Sequence, residues 1–299
     1  NASLRLERLM GKFRQMNTGG VMAKKWICIG FVGFAFGLTL SSVPVAAETR
    51  YNDWELWTSP ATAVLPDRRH AKSLFRINIA GGGVAAPEFL GSDTVALKFL
   101  PLLDVNYAGT LFLSTQQGVG WNAWRKRSLR AGPRLTFDFG RQAADSPSLA
   151  ALPDIEFGTE VGLFVESFVA SWRFKGDIRK EIGGGHGGLL MNGEAAWGSR
   201  WSKNASIVLG MRGTFMDDTY AESYFSVAPA NVRVGRTQYD AAGGFRDING
   251  FVQIVYDFTQ ALYVAGEFRG TALMEQAANS PLAEVDAFLS SSFLVGFRF

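Results

Sequence analysis

Apolar and polar residues alternate one by one along much of the chain after residue 73. Between residues 155 and 166 one side of the alternation carries Phe157, Val161 and Leu163, and the other side carries Glu160 and Glu166. An extended strand places such charges on one side, whereas a helix would spread them around its circumference. The pattern repeats at residues 168–180, with Phe168, Ala170, Trp172, Phe174 and Ile178 opposite Ser171, Arg173, Lys175, Asp177 and Arg179.

The same alternation predicts an all-β chain of about twelve strands. Most of them have ten to fourteen residues, more than the five or six of an ordinary globular strand and enough for a tilted strand that spans a membrane. Short connections at 108–109, 248–250 and 259–260 indicate antiparallel hairpins. The predicted strands are 74–84, 94–107, 110–121, 127–140, 155–166, 168–180, 187–200, 204–216, 238–247, 249–258, 260–272 and 287–299.

Two architectures explain strands with one charged and one apolar face. In a soluble sandwich the charged face meets water, and in a membrane barrel it lines the lumen while the apolar face meets lipid. Strand length favours the antiparallel transmembrane β-barrel of the outer membrane. Aromatic residues close to the predicted strand ends also favour it, as interface girdles would require: Trp121, Trp124, Trp197, Trp201, Tyr256, Phe258 and Phe299.

The first 47 residues have the composition of an export signal. Lys24 and Lys25 precede an uncharged run from Trp26 to Leu40, and small residues up to Ala47 suit a signal peptidase. The run is shorter than the roughly 20 residues that a spanning helix needs. We therefore expect residues 22–47 to be a signal peptide cleaved after about Ala47, residues 1–21 to be an upstream extension outside the native mature protein, and the product to reach the cell outer membrane.

Removal of this segment changes the charge of the protein. The full chain has 30 Lys+Arg and 27 Asp+Glu, a net charge of +3 that would suit a nucleic-acid partner. Residues 1–47 hold six of the basic residues and one of the acidic ones, so the mature chain has a net charge of −2. We therefore expect no nucleic-acid partner. The one Cys also lies in this segment, which leaves no disulfide or thiol chemistry to the mature chain.

Several local strings resemble one family. Gly81-Gly82-Gly83 followed by Pro87-Glu88-Phe89-Leu90-Gly91-Ser92-Asp93, then Tyr224-Phe225-Ser226-Val227, Ser280-Pro281-Leu282 and the closing Gly296-Phe297-Arg298-Phe299, are similar to the MltA-interacting protein (MipA)/OmpV-like outer-membrane family. The resemblance implies an outer-membrane barrel spanning residues 74–299. It further implies a scaffold that links a peptidoglycan synthase to a lytic transglycosylase, or a porin-like channel, or an adhesin.

No residue pattern indicates catalysis or a cofactor. The string Gly183-Gly184-Gly185-His186-Gly187-Gly188 lacks the Lys-Ser/Thr pair and the following helix of a phosphate loop. His186 and His70 have no nearby nucleophile and acid in sequence, so we predict that the protein is not an enzyme and has no catalytic, cofactor-binding or metal-binding residues. The charged inner face could form a selectivity lining or an ion-paired, filled interior.

Three longer segments are candidates for partner contact. Residues 48–73 precede the barrel and we assign them to the periplasm, where they could act as a tether or a plug. Residues 141–154 and 217–237 are long connections, which in outer-membrane barrels usually face outward. Counting back through twelve strands from a periplasmic C-terminus places both on the periplasmic side, and this conflict is unresolved in the sequence. The predicted partners are outer-membrane lipid and, for a scaffold, a periplasmic synthase and transglycosylase.

Overall fold

A computed structural model describes residues 74–126, 128–234 and 236–299 of the 299-residue chain. Two short α-helices, α1 (Asp218–Phe225) and α2 (Glu275–Asn279), lie in the connections between strands. Most of the described chain forms β1 Phe75–Pro87, β2 Val95–Tyr107, β3 Leu111–Ser114, β4 Gly118–Trp121, β5 Trp124–Lys126, β6 Leu129–Asp138, β7 Gly158–Val169, β8 Trp172–Gly183, β9 Leu189–Arg200, β10 Ala205–Met216, β11 Gly244–Asp257, β12 Leu262–Leu273 and β13 Ala287–Arg298.

These strands form one closed antiparallel barrel. Each strand from β6 to β13 pairs with the next, β13 pairs with β1, and β1 leads through β2 and β3 to β4. β4 and β5 both pair with β6, so they occupy one position in the wall and close the ring at twelve strands. First and last strands meet in a continuous register from Asn78 opposite Arg298 to Ala85 opposite Ser291. The predicted architecture is confirmed.

The two faces of the wall match the predicted alternation, with a few instructive exceptions. On β7 the outward Val161, Leu163 and Val165 are exposed, whereas the inward Glu160 and Glu166 are buried. The prediction for Phe168 was wrong. β7 extends to Val169, so Phe168 belongs to β7 rather than to the next strand, and its buried side chain faces the lumen.

Two predicted strand boundaries need correction. The predicted strand 110–121 is the hairpin β3–β4, which turns at Thr115–Gln117 and is followed by Gly118 with φ of 76°. The predicted strands 238–247 and 249–258 are one strand, β11. The supposed turn at 248–250 is fully paired, since Asn249 lies opposite Arg212 on β10 and Thr271 on β12.

These corrections remove the conflict over the long segments. The short connections 108–110, 170–171, 201–204 and 258–261 lie at the end of the barrel that also holds Phe75 and Arg298, here called the turn end. The longer connections (88–94, 139–157, 184–188, 217–243 and 274–286) lie at the opposite end, the loop end. Segments 141–154 and 217–237 therefore share one end, opposite the C-terminus. Dividing β11 into two strands adds one crossing of the membrane to the count from the C-terminus, and so places both segments at the wrong end.

Aromatic residues mark the turn end. The tryptophans of the described chain all lie there, and their side chains are partly or well exposed on the outer face or in a turn: Trp121, Trp124, Trp172, Trp197 and Trp201. Tyr256 and Phe258 stack edge to face beside them. No helix among residues 74–126, 128–234 and 236–299 is long and apolar enough to cross a membrane. The predicted extension 1–21, signal peptide 22–47, segment 48–73 and His70 lie outside the described residues.

Candidate functional site

Paired charges fill one half of the lumen, between β6 and β10. Glu166 accepts a hydrogen bond from Arg130 and lies 3.5 Å from the Lys175 amine. Arg134 lies 2.7 Å from Asp177 on β8. Glu194 on β9 accepts from Arg173 and lies 2.9 Å from Arg212 on β10. Consecutive inward positions on neighbouring strands thus alternate in charge, which is what ionised side chains need in a confined interior.

In the other half of the lumen an apolar cluster lies among fewer buried charges, such as Asp104, Asp247 and Glu267. Ala80, Leu102, Val255, Tyr263, Ala265 and Leu294 form a buried cluster with Leu100 packed against it. The Tyr263 hydroxyl donates to Asn78 at 2.8 Å, and the Arg298 guanidinium lies 4.2 Å from the centre of the Tyr263 ring. The cluster fills the lumen beside β1, β2, β11, β12 and β13.

Burial shows that these side chains occupy the lumen themselves. Glu160 and Glu166 are each 1% exposed, and Arg173 is 2% exposed. Lumen-facing charges of a water-filled channel would be accessible to water, because side chains cannot bridge a wide interior. The sequence left open a selectivity lining and an ion-paired interior, and the burial favours the ion-paired interior.

A cap of packed connections covers the loop end. Helix α1 inserts Tyr220, Ala221 and Phe225 into a buried cluster with Leu273, the last residue of β12, and Ala277 of helix α2. Its N-terminus is capped by Asp217, whose carboxylate accepts from the Tyr220 amide at 2.9 Å. A second buried cluster joins three connections through Leu149, Leu152, Val227 and Leu282. Segments 141–154 and 217–237, predicted separately as partner contacts, are thus packed against each other.

Polar contacts fix this cap to the barrel. The Tyr224 hydroxyl donates to Asp138 at the end of β6, at 2.6 Å. Arg141 donates to the Tyr224 carbonyl at 2.7 Å, and Arg236 donates to the carbonyls of Ser148 and Ala150. Burial raises the pKa of Tyr224, so its hydroxyl remains a hydrogen-bond donor at neutral pH.

His186 lies at the centre of the junction between cap and lumen. Its side chain is buried, and its ring contacts that of Tyr220 edge to face at 4.7 Å. The Nε2 atom lies 3.6 Å from Glu160 Oε1 and 3.8 Å from Asp138 Oδ2. These three side chains have the composition of a metal site, which the sequence did not predict because Asp138 and Glu160 are distant from His186 in the chain.

The hydrogen bond on the other ring nitrogen argues against a metal at this position. Nδ1 accepts from the Gly188 amide at 2.9 Å, so it has no proton and Nε2 carries the proton of the neutral ring. A metal on Nε2 would require both nitrogens to be unprotonated, whereas metal-bound His normally donates from its other nitrogen. The Nε2–H group instead faces two carboxylates. Among the described residues, no Ser or Cys side chain forms a hydrogen bond with the His186 imidazole; the Ser223 hydroxyl donates to the His186 backbone carbonyl.

An outward apolar wall, an inward polar or filled lumen, short turns at one end and long connections at the other define an outer-membrane β-barrel. The protein family described as MltA-interacting protein MipA matches this chain over residues 79–299, and the chain belongs to that family. The resemblance drawn from the local strings is thereby confirmed.

Solved structures of outer-membrane proteins also align with the chain. A loop-deletion mutant of OmpT from Vibrio cholerae is 7% identical, with a TM-score of 0.35 over 75% of this chain and 98% of that one. OmpF of Salmonella typhi in complex with daunomycin is 8% identical, with a TM-score of 0.35 over 75% and 97% of the two chains. Among curated proteins no match was found. The architecture stated above therefore rests on the strand pairing itself.

Proposed function

We propose that this outer-membrane barrel is a non-catalytic scaffold of the cell envelope, which binds a lytic transglycosylase and a peptidoglycan synthase on its periplasmic side. The family is described as MltA-interacting, which supports a protein partner of this kind. The observation that carries the proposal is the burial of charged side chains in the lumen, with Glu160 and Glu166 each 1% exposed. A barrel filled in this way has its surfaces, rather than its interior, available for function.

The turn end is the surface that a periplasmic partner would meet. Its turns are short and carry exposed residues such as Trp201 and Lys203, and Lys126 lies 5.2 Å from the centre of the Trp124 ring. The chain enters the barrel at this end, since Phe75 begins β1 there. Residues 48–73, with Trp54 and Trp57, precede Phe75 in the chain, and we propose that they contribute to the same partner contacts.

Capture from a detergent extract tests the proposal. The mature protein should retain a lytic transglycosylase or a peptidoglycan synthase, identified by mass spectrometry. A variant that lacks residues 48–73, or the double variant Trp201→Ala/Lys203→Glu, should reduce that capture. A matched change at the loop end, Val234→Ser, should leave capture unchanged because Val234 is fully exposed on the opposite side. If the intact protein recovers neither class of enzyme, the scaffold proposal is wrong.

An adhesin is the second candidate, because the long connections lie together at the loop end and form a compact, packed surface. Replacement of the exposed Val232 and Val234 by Ser should then reduce attachment of whole cells without reducing capture of periplasmic enzymes. A passive channel is the third candidate, and it requires an open lumen. Current recordings across a planar bilayer distinguish it, since a filled barrel should give no steady conductance.

A further inference from the structure

The barrel wall has a lateral gap in its loop-end half. The hairpin β3–β4 extends only to Ser114 and Gly118, so it pairs with β2 no higher than Asp104. At the level of the hairpin, β2 and β6 are three strand spacings apart, about 14 Å, and no strand of the described residues fills this width above it. Among the described residues, no strand pairs with the segment 95–102 on that side.

The frame of this gap, here called the window, is well defined. At its lower edge the Thr115 amide donates to the Leu103 carbonyl at 3.0 Å, and the Thr115 hydroxyl accepts from the Leu103 amide at 3.2 Å. At its upper edge Glu284 accepts hydrogen bonds from Ser148, Ser92 and the Asp93 amide, which joins the connections beside β2 and β6. The window therefore opens sideways, below the cap.

The sequence encodes the free edge of β2. Because Leu103 pairs toward β3, strand alternation directs the backbone groups of Leu97, Phe99 and Pro101 into the window. Proline has no amide proton and is tolerated in a strand only at an edge, so Pro101 prevents a continuous ladder on that side. It also disfavours the addition of a further peptide strand, which would need the missing donor.

The surroundings of the window are apolar except at the top. Leu97 and Phe99 are 85% and 76% exposed on the outer face, and across the window Phe139 is 80% exposed. Leu100 and Leu102 of β2 face inward and belong to the apolar cluster of the lumen. Lys98 lies above them on the same face of the strand and is exposed, unlike the buried lumen charges Arg134 and Lys175.

This arrangement has the polarity of an outer-leaflet lipid. The outer faces of β2 and β6 are apolar along the window, so the window lies at the depth of the hydrocarbon chains. Pure hydrocarbon would leave the backbone groups of Leu97 and Phe99 without partners, which is costly in a membrane. A lipid provides ester oxygens that accept from the Leu97 and Phe99 amides, and a chain that points down toward Leu100. Its anionic headgroup pairs with the Lys98 amine, which reaches up to the Glu88 carbonyl at 3.3 Å.

We propose that the window binds one anionic lipid of the outer leaflet, with its headgroup beside Lys98 and an acyl chain between β2 and β6 against the partly exposed Leu100. This inference is independent of the scaffold proposal, because it concerns the membrane-embedded wall at the loop end. The lipid completes the wall where Pro101 and the short hairpin leave it open.

Native mass spectrometry of the full mature protein tests this site, with dioleoylphosphatidylglycerol as the probe. The barrel should retain one phosphatidylglycerol molecule after detergent removes the others. Leu100→Trp, which fills the space behind the window, should abolish that retention, whereas Leu209→Trp on the outer face of β10 should not. Lys98→Gln should reduce the preference for phosphatidylglycerol over phosphatidylcholine with the same chains about five-fold. Lys203→Gln at the turn end should leave that preference unchanged.

Heat-modifiable migration on gels should first show that each variant is folded. Equal retention by the wild type and a folded Leu100→Trp would overturn the proposal, and so would a dimer joined through β2 that excludes lipid. If Leu100→Trp does not fold, the comparison of Lys98→Gln with Lys203→Gln decides. An unchanged lipid preference in Lys98→Gln contradicts the site.

Discussion

Glu166 provides the sharpest test of a filled lumen. The substitution Glu166→Gln keeps the size of the side chain but removes its charge. Glu166 is 1% exposed, accepts a hydrogen bond from Arg130 and lies 3.5 Å from the Lys175 amine. The variant therefore leaves two buried cations without their shared counter-ion, and the folded barrel should lose stability.

The expected magnitude follows from the burial. Breaking a buried ion pair by removing one partner costs about 3–5 kcal/mol, because the remaining charge is desolvated and uncompensated. An exposed pair contributes only about 0–1 kcal/mol. The chain offers such a pair as a control, since Lys180 and Asp217 lie 3.6 Å apart with side chains that are 49% and 31% exposed.

Urea titration of the barrel in phospholipid vesicles provides the assay, with tryptophan fluorescence as the signal. The free energy of unfolding should fall by about 3 kcal/mol or more in Glu166→Gln and by less than about 1 kcal/mol in Lys180→Gln. Neither substitution removes a tryptophan, so the same fluorophores report unfolding in the wild type and in both variants.

A small effect would refute the reasoning. If Glu166→Gln and Lys180→Gln cost about the same, water must reach Arg130 and Lys175 in the folded protein. The lumen would then be hydrated, and the passive channel would replace the scaffold as the better explanation. A folded Glu166→Gln barrel that conducts ions where the wild type does not would instead show that the paired charges close the lumen.

Three further predictions follow from the geometry. A maleimide that does not cross the outer membrane should label Val234→Cys in intact cells but Lys203→Cys only after permeabilisation; the reverse result would contradict the orientation. Burial alone would raise the pKa of Glu284, but hydrogen bonds from Ser148, the Asp93 amide and Ser92 outweigh it and lower the pKa below the ordinary 4.5. The ionised Glu284 carboxylate therefore stabilises the cap at neutral pH, and this stabilisation is lost when the pH falls below about 4.5. Protease cleavage of residues 139–157 should increase at that acidic pH in the wild type, whereas cleavage of Glu284→Gln should not depend on pH. Gly82→Val should prevent closure, since a Cβ there would lie 1.8 Å from the Phe293 carbonyl oxygen, whereas Gly83→Val meets no atom within 4 Å and should fold.

Strand alternation predicted the wall because each inward or outward position is set locally. The alternation predicted for residues 157–166 is confirmed, but the predicted face and strand of Phe168 are wrong, since an apolar lumen residue has no local signature. The break at 248–250 was wrong for a related reason. An Asn-Gly pair resembles a turn, but pairing with Arg212 and Thr271 on both sides keeps Asn249 in the strand.

The junction around His186 depended on information that the sequence does not hold locally. Asp138 and Glu160 were recognisable as inward positions, but their approach to His186 follows from barrel closure and from the packing of helix α1. Pro101 was a usable local signal for the window, because a proline in a predicted central strand argues for a free edge. The height of the window could not be predicted from the sequence, because it depends on where the β3–β4 hairpin turns.

The seam between β1 and β13 has a kinetic consequence. The Ile77 amide donates to the Phe299 carbonyl, and the Phe299 amide donates to the Ile77 carbonyl, so the ring closes between residues more than 200 positions apart. Non-local pairing of this kind forms slowly, because the intervening chain must be ordered first. Closure also requires the final strand, which is made last. During that delay the apolar residues of up to eleven strands are not yet covered by lipid. The exported chain must therefore be protected from aggregation until Phe299 has paired with Ile77.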